Sequence, residues 1–159
     1  MLFPFIISLA GLFFLLINGI LFFRTRKDKG FLYQIITVYL ILLFVEELCC
    51  NIIGFYSPGS NFFLSHYYFL FQFIALSVFF YNLFRNIILK RIVLYCLILV
   101  LMILIVQYYE TPGLYWEFNF LEIEMTSILL IIYALIFLIK NFKREKHEYL
   151  YLCNGLIIY

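Results

Sequence analysis

All eleven lysines and arginines of this chain fall in three tight clusters, and the long apolar stretches between them carry none. The clusters are Arg24, Arg26, Lys27 and Lys29; then Arg85, Lys90 and Arg91; then Lys140, Lys143, Arg144 and Lys146. Between the first two lies an uncharged turn around Ser57 to Asn61. Between the last two lies a turn region whose only charges are Glu110 and Glu117. Cations on every second loop mark a chain threaded through a membrane with its positive loops in the cytoplasm. Composition agrees: 67% of residues are hydrophobic, 13% are charged and the mean hydropathy is +1.07, against about 45–50% apolar and about 25% charged in globular domains. The net charge of +2 makes no case for nucleic acid, because orientation accounts for every cation.

The pattern predicts an all-α, polytopic transmembrane bundle: one domain of five full spans plus the start of a sixth, with the N-terminus outside an inner (cytoplasmic) membrane. The spans are expected at residues 2–23, 31–56, 62–84, 92–109 and 118–139. The first would extend about 33 Å as a helix, enough for a hydrocarbon core of about 30 Å. It is too long for a cleaved signal peptide and has no positive region before it. Both outer turns carry Pro-Gly, at Pro58-Gly59 and Pro112-Gly113, which is strong turn chemistry. Their common spacing fits a duplicated hairpin, or simply two hairpins crossing the same bilayer. After the third cationic cluster a further apolar run, Tyr149 to Tyr159, would reach only about 16 Å as a helix. The run reads either as part of a longer membrane segment or as a piece docked at the interface or on a partner.

Phe and Tyr are abundant, 21 and 14, while Ala occurs three times, at Ala10, Ala75 and Ala134. Membrane helices usually approach through small residues; these must pack through bulky ones. The four cysteines, Cys49, Cys50, Cys96 and Cys153, form no C-x-x-C pair, and two histidines complete the soft ligands. They read as small apolar residues, with no structural zinc site and no cofactor implied.

The acids inside the spans demand an account. Glu46 and Glu47 sit well inside the second helix, where an ionised carboxylate costs on the order of 2.5–3.5 kcal/mol. They must be protonated, paired or facing a wet cavity. Glu47, Asn51 and Gly54 share one face at i, i+4, i+7. Ser65, Tyr68, Gln72 and Ala75 form a second stripe on the third helix. Glu122 and Thr126 line up on the fifth, with Tyr133 further along. Facing one another, these stripes would form an outward-opening acidic pocket. It would serve either as a hydrogen-bond network fixing helix register or as a site for a cation, a proton or a small polar ligand. His66 lies roughly 130° round the third helix from the middle of its stripe. A Glu/Glu/His/Glu metal site is therefore open on residue types and poor on angle. Tyr108, Tyr109, Tyr115 and Trp116 read as an aromatic belt.

The stretch Asn61-Phe-Phe-Leu-Ser-His-Tyr-Tyr-Phe-Leu-Phe-Gln-Phe73, followed by Phe79-Phe-Tyr81 and the cations at 85–91, resembles an uncharacterised family of small bacterial inner-membrane proteins of about seven helices. That family has an aromatic-rich third helix with Tyr-x-x-x-Glu, matched here by Tyr68 and by Gln72 in place of the acid. It also has acids in the second helix, like Glu46 or Glu47, and at the opening of the fifth, like Glu122. Gly155-Leu-Ile-Ile-Tyr159 resembles its sixth helix. The resemblance implies fold and topology and carries no activity.

Three function classes follow. A ligand-responsive or transport-like bundle would use the outer pocket. An embedded subunit of a larger membrane complex, or a homo-oligomer, would pack its aromatic faces on partners. An intramembrane enzyme would need a nucleophile, base or metal in consistent geometry, and no H-E-x-x-H, phosphate loop or serine triad order is present. The bilayer itself is the one partner the composition demands.

Overall fold

In hydrocarbon every backbone N–H and C=O must be satisfied within the segment, so an apolar chain of this kind is driven into helices. The structure, a computed structural model, describes residues 2–25, 29–56 and 61–141. It contains α1 (Leu2–Thr25), α2 (Phe31–Tyr56), α3 (Phe62–Leu83), α4 (Ile87–Glu110) and α5 (Phe120–Asn141), with a 3-10 turn at Pro112–Trp116 between the last two. No strand occurs among the described residues. All five helices are long and apolar enough to cross a membrane. Successive helices run antiparallel. Arg24, Lys29, Arg85, Lys90, Arg91 and Lys140 therefore gather at one end of the bundle, called here the cationic end, opposite the Pro112-Gly113 turn. The Pro58-Gly59 turn and the segment 149–159 lie outside the described residues.

Local chemistry moves two boundaries away from those expected. Helix α4 starts at Ile87, not Ile92, because Asn86 caps it: the Asn86 side chain accepts from the Ile88 N–H at 2.8 Å. Capping of this kind stabilises a helix start by about 1 kcal/mol. The cations expected at the membrane border therefore ride on the helix itself, and Lys90 Nζ lies 5.3 Å from the centre of the Tyr81 ring. Their place near the positive end of the helix dipole is unfavourable, so the helix alone does not explain them. Helix α5 starts at Phe120, not Phe118, because Asn119 caps it in turn: the Glu122 N–H donates to Asn119 Oδ1 at 3.4 Å. The α3–α4 connection is three residues long. Phe84 closes α3 in an extended conformation, its N–H still bonded to the Phe80 carbonyl.

Helix α3 is the centre of the packing. It contacts α2 on one side and α4 and α5 on the other, while α1 leans chiefly on α2. The core is aromatic. Ile36, Phe79, Phe80, Phe84, Val93, Tyr133 and Phe137 form one buried cluster, and Phe73, Val100 and Leu104 a second. Phe80 is the pivot of the first, with ring centres 5.9 Å from both Phe84 and Tyr133. Between α1 and α2 the Phe22 and Tyr33 rings stack at 4.7 Å. Among the described residues glycine does not mediate close approach: a Cβ added at Gly11 or Gly19 would meet nothing within 4 Å. The bundle thus packs through large side chains, as the scarcity of alanine requires.

Burial in lipid rewards packing more than transfer, since acyl chains are as apolar as leucine. Phe73 is fully buried against Val100 and Leu104, whereas Tyr95 is 67% exposed. Phe73→Ala should therefore lower unfolding stability by about 2–3 kcal/mol, the cavity share of the cost in soluble cores. Tyr95→Ala should leave it nearly unchanged. Reversible unfolding in mixed micelles measures both.

Candidate functional site

Asn119 and Glu122 stand three residues apart at the start of α5, the spacing of a capping box. Here only half of the box forms. Asn119 caps the helix, but the Glu122 carboxylate turns away to His66 on α3, with Oε2 2.7 Å from Nδ1. Tyr108, near the end of α4, donates its hydroxyl to the same Oε2 at 2.6 Å and lies 2.8 Å from the same Nδ1. Asn119 Nδ2 in turn donates to the Tyr108 oxygen at 3.1 Å, and the Gln107 and Asn119 amides pair reciprocally at 3.1 and 3.3 Å. Thr126 donates to the Glu122 carbonyl at 2.7 Å. Side chains of two helices thus meet on one carboxylate oxygen of a third, and the cap of that third helix supports one of them.

The proton count is constrained. Tyr108 has one proton, which it gives to Oε2, and it accepts from Asn119. The short His66–Glu122 contact therefore holds its own proton between Nδ1 and Oε2. His66 Nε2 is buried and has no hydrogen-bond partner. The residue is 6% exposed, Glu122 1% and Asn119 3%. Aromatic rings cover it, with Tyr108 at 5.3 Å and Tyr115 at 6.0 Å between centres. The 3-10 turn holds Tyr115 there by a hydrogen bond to Tyr67 at 3.0 Å and by packing of Trp116 on Phe63. The bond to Tyr67 also raises the Tyr115 phenol above its ordinary pKa.

A second polar group occupies the other side of α3. Ser8 of α1 donates to Asn51 Oδ1 at 2.7 Å and lies 3.2 Å from Glu47 Oε1. Asn51 Nδ2 donates to the Glu47 carbonyl and carboxylate at 2.8 and 3.3 Å. Cys50 Sγ donates to Glu46 Oε1 at 3.2 Å. Tyr68 lies within electrostatic reach of both acids, and Gln72 hydrogen-bonds the Tyr39 hydroxyl. Glu46 and Glu47 are half-buried.

The expected single pocket is thus two clusters, on the α1/α2 side and the α4/α5 side of α3. Glu46, Glu47, Asn51, Tyr68 and Gln72 belong to the first. Glu122 and Thr126 belong to the second, and no hydrogen bond links Glu47 to Glu122 among the described residues. Gln72 serves Tyr39 rather than either acid, and Ser65 donates to its own helix at the Phe62 carbonyl. Tyr133 packs in the core on Phe80.

The angle of His66 to the Tyr68–Gln72 stripe argues against a place in the pocket. His66 nevertheless meets Glu122, one of the residues expected to line that pocket, at 2.7 Å. Tyr108 fits the aromatic belt by sequence, yet its hydroxyl turns inward, while Tyr109 and Trp116, 86% and 66% exposed, face outward. Asn119 and Gln107 escape the sequence reading. The Asn-x-x-Glu spacing is the signal that marks Asn119. Among the described residues no three His, Cys, Asp or Glu side chains converge to hold a metal.

Removing one partner from a buried network leaves the other unsatisfied. Glu122→Gln, which keeps size and bonding capacity, should cost less stability than Glu122→Ala. Tyr108→Phe should cost about 1 kcal/mol, within the range for interhelical hydrogen bonds in membranes, and Tyr67→Phe close to nothing. Unfolding free energies in micelles decide the order. No protein-family model, curated protein or solved structure matches the chain, so its function is read from this geometry.

Proposed function

We propose that this chain is a transport-like, proton-responsive bundle of the inner membrane whose working group is the His66–Glu122 pair. One observation carries the reading: a histidine and a carboxylate, both buried in membrane-spanning helices, share a 2.7 Å contact while the far imidazole nitrogen is left without a partner. Intramembrane ionisable groups are expensive and by default functional. With Nε2 bare the pair carries one negative charge; one added proton makes it neutral overall. Uptake of a proton therefore removes a buried charge, and release restores it. Histidine is the side chain suited to that exchange near neutral pH.

The chain's two histidines permit a direct test. With His147 replaced by Gln, a sample labelled with 15N-histidine carries a single imidazole, His66. Its nitrogen resonances should respond to added acid, and Glu122→Gln should displace the response. Resonances that respond to neither change would end the proton reading.

We read the cationic end as cytoplasmic, with the N-terminus outside, on the charge rule for loops. Thr111→Cys and Arg85→Cys, each in a cysteine-free background, test it. An impermeant maleimide should label the first in intact cells and the second only after permeabilisation. The reverse pattern would overturn the orientation.

A second reading, an embedded subunit of a larger membrane assembly, is favoured by α1. Its span is the least covered of the five, and it leans chiefly on α2. Stoichiometric co-purification of another polypeptide in mild detergent, lost when exposed α1 residues such as Phe13 and Phe14 are changed to Ala, would support it. The family resemblance carried by the third helix supports the bundle topology in either reading.

A further inference from the structure

Asparagine is a costly residue to present to lipid, because its carboxamide has two donor protons and an acceptor oxygen and acyl chains answer neither. Asn18 of α1 is nevertheless exposed. It stands six residues before Arg24, about 9 Å into the apolar span. One Nδ2 proton goes to the Phe14 carbonyl at 2.9 Å. Among the described residues nothing takes the second proton or donates to Oδ1. We propose that two copies of the chain pair through α1, side by side and parallel, with their Asn18 carboxamides bonded to one another across a twofold axis.

The missing partner must offer an acceptor and a donor together, at the depth of Asn18. A membrane gives every copy of one chain the same orientation. A second α1 therefore runs parallel to the first and brings its own Asn18 to that depth. Each amide can then donate its free Nδ2 proton to the other's Oδ1, and both are satisfied. In coiled coils a single asparagine among apolar seam residues fixes register and oligomeric state by the same means.

The rest of the face suits the pairing. Ile7, Gly11, Phe14, Asn18 and Leu21 follow the alternating four-and-three spacing of a helix-pair seam, and all five are exposed. Ile7, Phe14 and Leu21 are each more than half exposed. Membrane helices approach closely where a small residue opens the backbone, and a Cβ at Gly11 would meet nothing within 4 Å. The α2 side of α1 is already occupied, by Ser8 on Asn51 and by Phe22 stacked on Tyr33. The pairing goes beyond the proton reading and needs neither the His66–Glu122 pair nor a foreign subunit.

Phe13 and Phe14 give the test. They are adjacent, of one residue type and equally exposed, 59% and 61%, yet only Phe14 lies on the seam. In the full chain, with Cys49, Cys50, Cys96 and Cys153 replaced by Ala, a single Phe14→Cys, Phe13→Cys or Leu21→Cys is introduced. Mild oxidation in membranes should link dimers at positions 14 and 21 about tenfold more than at 13, because only seam positions bring like Cβ atoms together. Asn18→Leu should cut the dimer at position 14 by about fivefold, the worth of two interhelical hydrogen bonds in lipid. Asn18→Gln, which keeps the carboxamide, should restore most of it. Equal dimer at 13 and 14 would report random collision, and none at 14 or 21 would leave the face to lipid. A disulfide from position 14 to a different polypeptide would assign it to a foreign subunit. Each of these results would overturn the proposal, as would a dimer at position 14 indifferent to Asn18→Leu.

Discussion

A carboxylate placed in a nonpolar medium has to be answered, and the answer to Glu122 organises one end of this bundle. Its oxygen takes His66 from α3 and Tyr108 from α4, while its own helix is capped by the Asn119 that also supports Tyr108. Remove the acid and three helices lose their shared partner at that end. At the cationic end no such polar centre occurs among the described residues, and the work falls to aromatic packing around Phe80 and Tyr133. The two ends are held by different physics. One is directional and polar; the other is nondirectional and apolar.

The fold was legible because a bilayer leaves a chain few choices. Long uncharged runs must be helices, and clusters of cations must be loops or helix ends, so the five helices followed from the positions of eleven residues. Boundaries were less legible where a cap decided them. Ile87 to Arg91 contain two cations and look like loop on hydropathy, yet Asn86 starts a helix there. Hydropathy reports where the membrane is, and capping reports where the helix is; at α4 they differ by more than a turn.

The site was half legible. Residue types and depth marked Glu122, Glu46 and Glu47 as requiring partners. The partners were harder, since a helical wheel shows which residues share a face and not which neighbour that face meets. Helix α3 has neighbours on both sides, so Tyr68 with Gln72 and His66 with Phe73 each lie on an inward face. Treating one stripe as the interior made His66 look misplaced. Tyr108 shows the same ambiguity: a tyrosine at a membrane border fits an aromatic belt equally well on either side of its helix. Only its packing against α5 turns the hydroxyl inward.

Six described cations stand at one end of the bundle, with Glu110 and Glu117 at the other. Electrically the molecule is a rod with a positive pole. A transmembrane potential acts on such a rod with about 2.3 kcal/mol for each elementary charge per 100 mV. Carrying six cations through that potential in the unfavourable sense amounts to about 14 kcal/mol on the same scale, as much as the whole folding stability of many domains. Once inserted with its positive pole on the negative side, the bundle is held there by the membrane voltage, quite apart from any contact inside it.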